Sequence, residues 1–285
     1  MAGGAPDPGF SMMRVMTFNI RFETDRDGDN SWRKRRDLVL EVILRYAPDV
    51  LGTQEGLWKQ LLFLAENLPG YEMAAPRRVI DDTSQYPTLF IKKSDWDIVA
   101  LDEFWLSTKP REHRSKDWDS AYPRMMSAAR IKCLRTDLLV WTAVTHLDHM
   151  GDEARHRQAA MLADWIAERE GPAVVMGDFN DEPGSSAYRE LVSRRTALRD
   201  TWLEGGFRED EAGYTLHGFE GVPKVARIDW ILARPDLMVK NALVIHDHEK
   251  GRYPSDHFPY LADLEAREVL AGTRAERPRG LARTT

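Results

Sequence analysis

The stretch AVVMGDFNDEP, residues 173–183, joins a short apolar run to a glycine, a carboxylate and a carboxamide. In an extended segment, residues two positions apart share one face, so the side chains of Asp178 and Asn180 can point to one target. Gly177 permits a close backbone approach, and a buried strand that brings two oxygen ligands to one point suits a hard cation such as Mg²⁺. A strand end with an Asx turn gives the same pattern. The rest of the chain must decide between these interpretations.

Length and composition limit the class of protein. The 285 residues suffice for one large α/β domain or two small ones, and contents of 42% hydrophobic and 30% charged residues are ordinary for a globular protein. The single cysteine, Cys133, excludes an intramolecular disulfide and a cysteine-rich zinc site and is typical of a reducing compartment. No apolar run approaches the roughly 20 residues of a membrane span, and residues 1–11 do not resemble a signal peptide. We therefore expect a cytoplasmic protein with a disordered leader at residues 1–11.

The charge distribution bears on the partners. A formal net charge of −6 argues against affinity from a broad phosphate-binding surface, although it allows a compact, metal-assisted phosphate site. The basic cluster RKRR at residues 33–36 has two interpretations, a phosphate contact or a solvated first turn of a helix. We expect the solvated turn, and we expect no protein partner.

The sequence pattern predicts one α/β domain at residues 12–264, followed by a flexible tail at residues 265–285. Helices are predicted at residues 31–46, 57–68, 152–170 and 185–193. Strands are predicted at residues 14–20, 50–55, 88–91, 96–101, 128–134, 138–144, 173–178, 226–232 and 239–245. A long loop at residues 104–124 is rich in tryptophan, proline and charge, and loops of that length are uncommon unless they are functional or disordered.

Polar residues of one chemical kind end these strands or lie within them. They are Asn19, Glu55, His146, Asp178 with Asn180, Asp229, and the pair Asp256 and His257. Ligands of open α/β sheets bind outside the carboxyl ends of the strands, where most of these residues fall. Amide and carboxylate oxygens favour Mg²⁺ or Mn²⁺ over Zn²⁺, and histidines beside them suit hydrogen bonding or proton transfer to a phosphoryl oxygen.

Six short motifs in fixed order resemble those of the endonuclease/exonuclease/phosphatase superfamily, which includes DNase I, apurinic endonucleases, sphingomyelinases and deadenylases. They are TFNI at 17–20, QE at 54–55, THLD at 145–148, GDFN at 177–180, RIDW at 227–230 and SDH at 255–257. Segments at 104–110, 118–124 and 214–219 are similar to a bacterial subfamily near the deadenylase-like branch. The resemblance implies a DNase I-like, four-layer αββα sandwich, in which two mixed β-sheets pack face to face with helices outside.

The resemblance also implies catalytic roles. Asp178 would orient or deprotonate the attacking water, and Asn180 would hold the phosphoryl oxygen or a metal. His257 would contact the phosphate while Asp229 fixes its ring, and His146 would be a second histidine that faces the phosphate.

On the metal side, the resemblance makes Glu55 the principal Mg²⁺ ligand, assisted by Asn19 and Asp256. Arg21 stands where the apurinic-endonuclease branch commonly carries an acid, which disfavours a role in DNA repair. Arg21 would contact substrate phosphate or pair with Glu23.

Arg124 and His217 lie in the subfamily segments and are candidates for substrate binding, with plain loop packing as the alternative. Asp148 and His149 are expected to anchor loops beside the site.

The expected function is Mg²⁺-dependent hydrolysis, with Mn²⁺ as a substitute, of a phosphomonoester or phosphodiester by in-line attack of water. The substrate would be a phosphoester-containing small molecule or the end of a nucleic acid. A nuclease acting on an RNA or DNA polymer is the alternative, which the acidic net charge weakens. A non-catalytic binding module that retains the fold is a third possibility, which the complete ligand set disfavours.

Overall fold

A computed structural model describes residues 10–75 and 78–267 of the chain. In chain order its strands are β1 (Phe10–Asn19), β2 (Val50–Gln54), β3 (Tyr71–Ala74), β4 (Thr88–Lys92), β5 (Trp96–Trp105), β6 (Met125–Cys133), β7 (Leu139–His146), β8 (Ala173–Asp178), β9 (Arg199–Asp200), β10 (Asp229–Ala233), β11 (Leu237–Val244) and β12 (Tyr260–Arg267). Its α-helices are α1 (Trp32–Tyr46), α2 (Trp58–Asn67), α3 (Asp152–Ala167), α4 (Ser186–Leu191) and α5 (Thr201–Glu204). Short 3₁₀ turns lie at Asp25–Asn30 and Glu211–Gly213.

The strands within the described ranges form two mixed six-stranded sheets. The first sheet has the order β11-β12-β1-β2-β4-β3, and the second has the order β5-β6-β7-β8-β10-β9. The parallel pairs β1–β2 and β7–β8 lie inside these sheets, and each pair ends at one edge. Because β10 runs antiparallel to β8 and pairs Asp229 with Asp178, the first residue of β10 lies at the same edge as the last residue of β8.

Three apolar layers hold the fold together and confirm the four-layer sandwich. Val15, Val50 and Met176 belong to a cluster between the two sheets. A second cluster packs α3 and α4 on the outer face of the second sheet, and a third packs α1 and α2 on the first sheet. Helices on both outer faces bury the outer apolar face of each sheet, which is the arrangement that the family resemblance implies.

Two glycines allow the close approaches that position the site. A Cβ on Gly52 would lie 2.7 Å from the Met176 sulfur, so the two sheets approach closely where β2 faces β8. A Cβ on Gly177 would lie 2.2 Å from the Thr145 carbonyl oxygen of β7. Larger residues at these positions would force the strands apart. The strand ends that carry the predicted site residues are therefore held near one another.

The boundaries of the predicted elements need some corrections. The first strand begins at Phe10 and the last extends to Arg267, so both strands continue past the predicted limits at residues 12 and 264. The remainder of the predicted leader and tail lies outside the described residues. Within the described residues, no helix combines the length and the apolar character that a membrane crossing requires.

Candidate active site

Asn19 connects the two sheets at their shared end. Its buried side-chain nitrogen donates to Oδ2 of Asp178 over 2.9 Å and to Oε1 of Glu55 over 3.1 Å. Asn19 ends β1, Glu55 directly follows β2, and Asp178 ends β8. The structure therefore brings together three of the predicted site residues from three strands.

The turn after β1 fixes the orientation of these groups. The backbone N–H of Arg21 donates to Oδ1 of Asn19 over 3.0 Å, and that of Phe22 donates to Oε2 of Glu55 over 3.0 Å. Arg21 and Glu55 both have left-handed backbone conformations, with φ of 55° and 64°. Asn19 thus turns its amide nitrogen, rather than its oxygen, toward the carboxylates, and its role as a metal ligand stays a prediction.

Asp229 and His257 form a buried pair. Nδ1 of His257 lies 2.8 Å from Oδ2 of Asp229, and its Nε2 lies 3.9 Å from Oδ2 of Asp178. Burial alone would lower the pKa of His257, but the charge of Asp229, followed by those of Asp178 and Asp256, raises this pKa well above its ordinary value. Asp229 therefore holds the ring so that Nε2 is directed to the centre of the site.

His146 has the opposite electrostatic character. Its Nε2 lies 3.4 Å from Oδ2 of Asp178, while its Nδ1 is buried without a partner among the described residues. Burial, followed by the positive charges of Arg124, His257 and His149, lowers the pKa of His146 well below its ordinary value. The site thus combines a charged histidine and a neutral one around a single carboxylate.

That carboxylate is itself perturbed. Burial and then repulsion by Asp229 raise the pKa of Asp178 to about 7, although His257 and the hydrogen bond from Asn19 oppose the shift. Oδ1 of Asp178 accepts the backbone N–H of Asn180 over 3.0 Å. The Asn180 side chain donates to the Leu147 carbonyl over 3.0 Å and so attaches this turn to the end of β7. A carboxylate with a pKa near neutrality, at a buried site, can accept a proton from water.

One group of described residues is close enough together to hold a metal, and two predicted ligands lie beside it. Ligand atoms of Asp178, Asp229 and His257 lie within 4.8 Å of one another. The predicted ligands Glu55 and Asp256 lie on the neighbouring segments. Nδ1 of His257 and Oδ2 of Asp229 already share a hydrogen bond. The carboxylate oxygens outside this pair are therefore better placed to bind a cation. The site can bind a metal ion with ligands that are mostly oxygen.

Arg21 lies beside these carboxylates but does not pair with Glu23. Its guanidinium forms two 3.1 Å bonds with Asp27 and lies 3.7 Å from Asp256. Glu23 instead pairs with Lys59 over 2.6 Å. The contact between Arg21 and Asp256 keeps this arginine at the margin of the site.

Arg124 is buried directly before β6, with an exposed fraction of 7%. Its Nε lies 3.6 Å from Oδ2 of Asp148, and its Nη2 lies 3.3 Å from Nδ1 of His149. Burial lowers the pKa of Arg124, whereas the charges of Asp148, Asp178 and Glu55 oppose this effect. Arg124 therefore contributes positive charge near the site.

His217 packs behind His257 rather than across the site. Its ring stacks on Phe258 with centroids 3.9 Å apart, and its backbone N–H donates to the Asp256 carbonyl over 2.9 Å. Its Nδ1 accepts the Gly221 N–H over 3.1 Å. Burial is the main cause that lowers its pKa to about 4. These contacts support the segment that carries His257.

Sequence reasoning missed Gln60, a buried amide on α2. Its nitrogen donates to the Arg21 carbonyl over 3.0 Å, and its oxygen accepts the N–H of Glu23 over 2.9 Å. A lone glutamine on an amphipathic helix gives no sequence signal of such a contact. Asp148 does act as a loop anchor, as expected, because its carboxylate accepts the N–H groups of Ala121, Tyr122, Met150 and Gly151.

A two-sheet sandwich with a buried cluster of carboxylates and histidines at one end defines a class of phosphoester hydrolases. The chain belongs to the endonuclease/exonuclease/phosphatase family, whose sequence model matches residues 16–257. The family resemblance is confirmed, and the protein is a hydrolase that acts on phosphoester bonds.

The chain is similar to several known proteins. Nocturnin of Xenopus laevis is 24% identical over 295 residues, which cover 90% of this chain and 73% of that protein. The structure of an endonuclease/exonuclease/phosphatase from Bacteroides vulgatus is 32% identical with a TM-score of 0.83, covering 90% of this chain and 100% of that one. A mannosyl-6-phosphatase of Bacteroides thetaiotaomicron is 29% identical with a TM-score of 0.80, covering 88% and 99%. Across the nocturnins matched, the chain spans 66% to 73% of their length.

Proposed function

We propose that the protein is a Mg²⁺-dependent phosphoesterase that hydrolyses a small phosphoester through a water molecule activated by Asp178. The observation that carries this proposal is the position of Asp178. Its Oδ2 accepts a hydrogen bond from Asn19 and lies 3.4 Å and 3.9 Å from the Nε2 atoms of His146 and His257. A buried carboxylate beside two imidazoles suits proton transfer next to a phosphoryl group.

The donor set fits Mg²⁺, with Mn²⁺ as a substitute. Each oxygen of Glu55 accepts one hydrogen bond and retains a lone pair, and Asp256 adds a second carboxylate from the segment before His257. Oxygen donors of this kind prefer hard cations. When bound, the ion would supply positive charge that offsets the charge of the phosphoryl oxygens. We propose Glu55 and Asp256 as ligands. Asn19 would hold the carboxylates of Glu55 and Asp178 in position, and it would be a ligand itself only after a rotation of its amide group.

The protein's own groups account for the remaining steps. Asp178 would align the water and take its proton, and Asn180 would donate to a phosphoryl oxygen. His257, charged and fixed by Asp229, would donate from Nε2 to the developing negative charge. His146, which is neutral, would form a hydrogen bond from the second side.

Arg124 and Arg21 are proposed to increase affinity for the phosphate from the margins of the site. Both keep a guanidinium near the carboxylate cluster. His217 would act only indirectly, through the segment that carries His257.

A small substrate agrees best with the net charge of −6 and with the similarity to a mannosyl-6-phosphatase. The end of a nucleic acid offers the same phosphoester chemistry and is tested in parallel. The cytoplasmic location expected from the single cysteine stays a prediction.

The experiment is a hydrolysis screen of sugar phosphates, nucleotides, oligonucleotides and bis-p-nitrophenyl phosphate. Each is assayed with Mg²⁺, with Mn²⁺ and with a chelator, and Asp178→Asn serves as the inactive control. We expect metal-dependent hydrolysis of at least one small ester. If none is hydrolysed, or if the chelator has no effect, the proposal is wrong.

A further inference from the structure

One residue of the basic cluster at 33–36 differs from its neighbours. Arg35 is 2% exposed, whereas Arg33 and Lys34 are exposed and Arg36 is half-buried. The expectation of a solvated helical turn therefore holds for part of the cluster and fails for Arg35. Its guanidinium lies near the rings of Trp32 and Phe219, at 5.2 Å and 5.7 Å from the ring centroids.

The hydrogen bonds of Arg35 all go to backbone carbonyl groups. Nε donates to the carbonyl of Asn30 over 2.9 Å, and Nη2 donates to that of Arg21 over 2.6 Å. Nη1 donates to the carbonyls of Ile20 and, over 2.9 Å, Pro254. The planar fork of an arginine can reach several acceptors at once, which a single lysine amine cannot reproduce.

Two of these carbonyls belong to the turn that orients the metal side of the site. The N–H groups of this turn bind the side chains of Asn19 and Glu55, as described above. Its carbonyl groups at residues 20 and 21 are bound by Arg35, and Gln60 shares the second. Opposite faces of one short turn thus contact the site and Arg35.

The carbonyl of Pro254 belongs to the other side of the site. Pro254 precedes Ser255, whose hydroxyl donates to the Asn19 carbonyl over 2.6 Å, and then come Asp256 and His257. Arg35 therefore contacts, through one guanidinium, the segment beside the proposed metal ligand Glu55 and the segment that carries His257.

We propose that Arg35 is a positioning residue that sets the distance between the metal side of the site, at Asn19 and Glu55, and the phosphate side, at Asp256 and His257. This inference rests on the proposed phosphoesterase function. Displacements of about 1 Å in a catalytic site can reduce turnover by roughly a hundredfold. Because Arg35 donates hydrogen bonds to both segments, it affects the rate as well as the stability.

The chain offers a matched control for this test. Arg234 is also buried and also donates only to backbone carbonyls, those of Thr196, Arg169, Gly171 and Ile166. It follows the last residue of β10, whereas Asp229 at the site is the first residue of that strand. Arg234 therefore makes the same kind of contact at the opposite end of the sheet.

The experiment compares Arg35→Lys and Arg35→Met with Arg234→Lys and with Arg33→Lys on the surface. For each purified variant we measure the melting temperature, kcat and KM, the Mg²⁺ concentration for half-maximal activity, and the rise in melting temperature with Mg²⁺. Assays are run well below the melting temperature of every variant.

For Arg35→Lys we expect kcat to fall about 10- to 100-fold and the Mg²⁺ requirement to rise, with KM nearly unchanged. Arg234→Lys is expected to lose melting temperature but to keep kcat within about twofold. The inference is overturned if folded Arg35→Lys keeps wild-type kcat and Mg²⁺ response, or if Arg234→Lys loses as much kcat.

Failure of the proposed function would look different. In that case the wild-type protein would hydrolyse none of the substrates, and the positioning role of Arg35 would be tested by the effect of Mg²⁺ on the melting temperature alone. A Mg²⁺-induced rise in melting temperature that is reduced in Arg35→Lys and retained in Arg234→Lys supports the role, and equal rises in both variants contradict it.

Discussion

Three neighbours of Asp178 affect the pKa of its carboxyl group, and each does so in a different way. Asn19 donates to its carboxylate, His257 attracts its negative charge, and Asp229 repels it. Burial and the repulsion by Asp229 outweigh the other two effects and raise the pKa of Asp178. A raised pKa is typical of a catalytic base, because a base must both accept a proton and release it near neutral pH.

The substitution Asp178→Asn tests this role. The amide has nearly the same shape but cannot accept a proton, so we expect kcat to fall by at least about a thousandfold. The melting temperature should not fall, because a buried, repelled charge is removed. Steady-state kinetics and thermal unfolding measure the two effects, with the exposed Asp37→Asn as a control. If Asp178→Asn kept a kcat within tenfold of wild type, a group other than Asp178 would be the base.

The raised pKa of Asp178 also predicts that the stability of the metal-free protein depends on pH. The pKa of Asp178 is raised to about 7 when folded, whereas an unfolded aspartate titrates near 4. Between these values the native state binds more protons, so its free energy of unfolding falls as the pH rises. We expect a loss on the order of 2 kcal/mol from about pH 5 to pH 7.5 that is absent in Asp178→Asn. Urea unfolding in the presence of a chelator measures the free energy of unfolding at each pH. The same dependence on pH in wild type and in Asp178→Asn would contradict the raised pKa.

Most helices and strands could be predicted from the sequence. Predictions at residues 31–46 and 57–68 match α1 and α2 closely, because apolar residues recur at helical spacing between clear turn signals. The strand β12 was missed because YLADLEAR contains alanine and acidic residues that are uncommon in strands. Its pairing with β1 and β11 decides its conformation, and pairing over such sequence distances is invisible locally.

The site was predictable in part for a similar reason. Asn19, His146 and Asp178 each end an apolar run, so the sequence shows that they lie at strand ends. The direction of the Asn19 amide, by contrast, depends on the N–H of a turn after β1 and on carboxylates from two other strands. Contacts such as those of Arg35 and Gln60 depend equally on tertiary packing.

The loop between β5 and β6 is attached to the end of β7 by one carboxylate. Oδ2 of Asp148 accepts the hydroxyl of Ser120 and the N–H groups of Ala121 and Tyr122, and Oδ1 accepts two N–H groups of the segment after β7. These backbone hydrogen bonds lower the pKa of Asp148 well below its usual range, although burial opposes them. Arg124 is the last residue of this loop.

Asp148→Asn is therefore expected to loosen the loop. The new amide nitrogen would face N–H donors, with which it cannot form a hydrogen bond, and we expect a loss of about 2–3 kcal/mol in the free energy of unfolding. We also expect a higher KM, because Arg124, which is proposed to increase affinity for the phosphate, would be held less firmly. Chemical denaturation, limited proteolysis of residues 107–124 and kinetics measure these effects.

Asp117, which lies on the loop between β5 and β6, gives a control for Asp148. It accepts the N–H and hydroxyl of Thr108 at a more exposed position. Asp117→Asn should change the free energy of unfolding much less than Asp148→Asn does, and it should leave KM unchanged. Equal effects of the two substitutions would mean that Asp148 has no special role as an anchor.

The complete molecule places a small, carboxylate-rich site at one end of an acidic protein. The arginines nearest the site are paired, Arg21 with Asp27 and Asp256, and Arg124 with Asp148. The net charge of −6 adds a general repulsion toward polyanions. Affinity for a long nucleic acid would need many phosphate contacts, which neither the pairing nor the net charge favours.

The dependence of turnover on salt distinguishes a small ester from a polymer as the substrate. A protein that neutralises six to ten phosphates loses roughly 10³ to 10⁵ in affinity between about 50 and 200 mM salt. For this protein we expect kcat/KM on its best small ester to change less than about threefold over that range, because one phosphate is bound inside a partly buried site that salt screens weakly. The assay uses fixed Mg²⁺ and varied potassium chloride, with a single-stranded oligonucleotide as the parallel substrate. A steep loss on the oligonucleotide, with kcat/KM at low salt above that of every small ester, would establish polymer cleavage as the main activity and reverse the proposed preference.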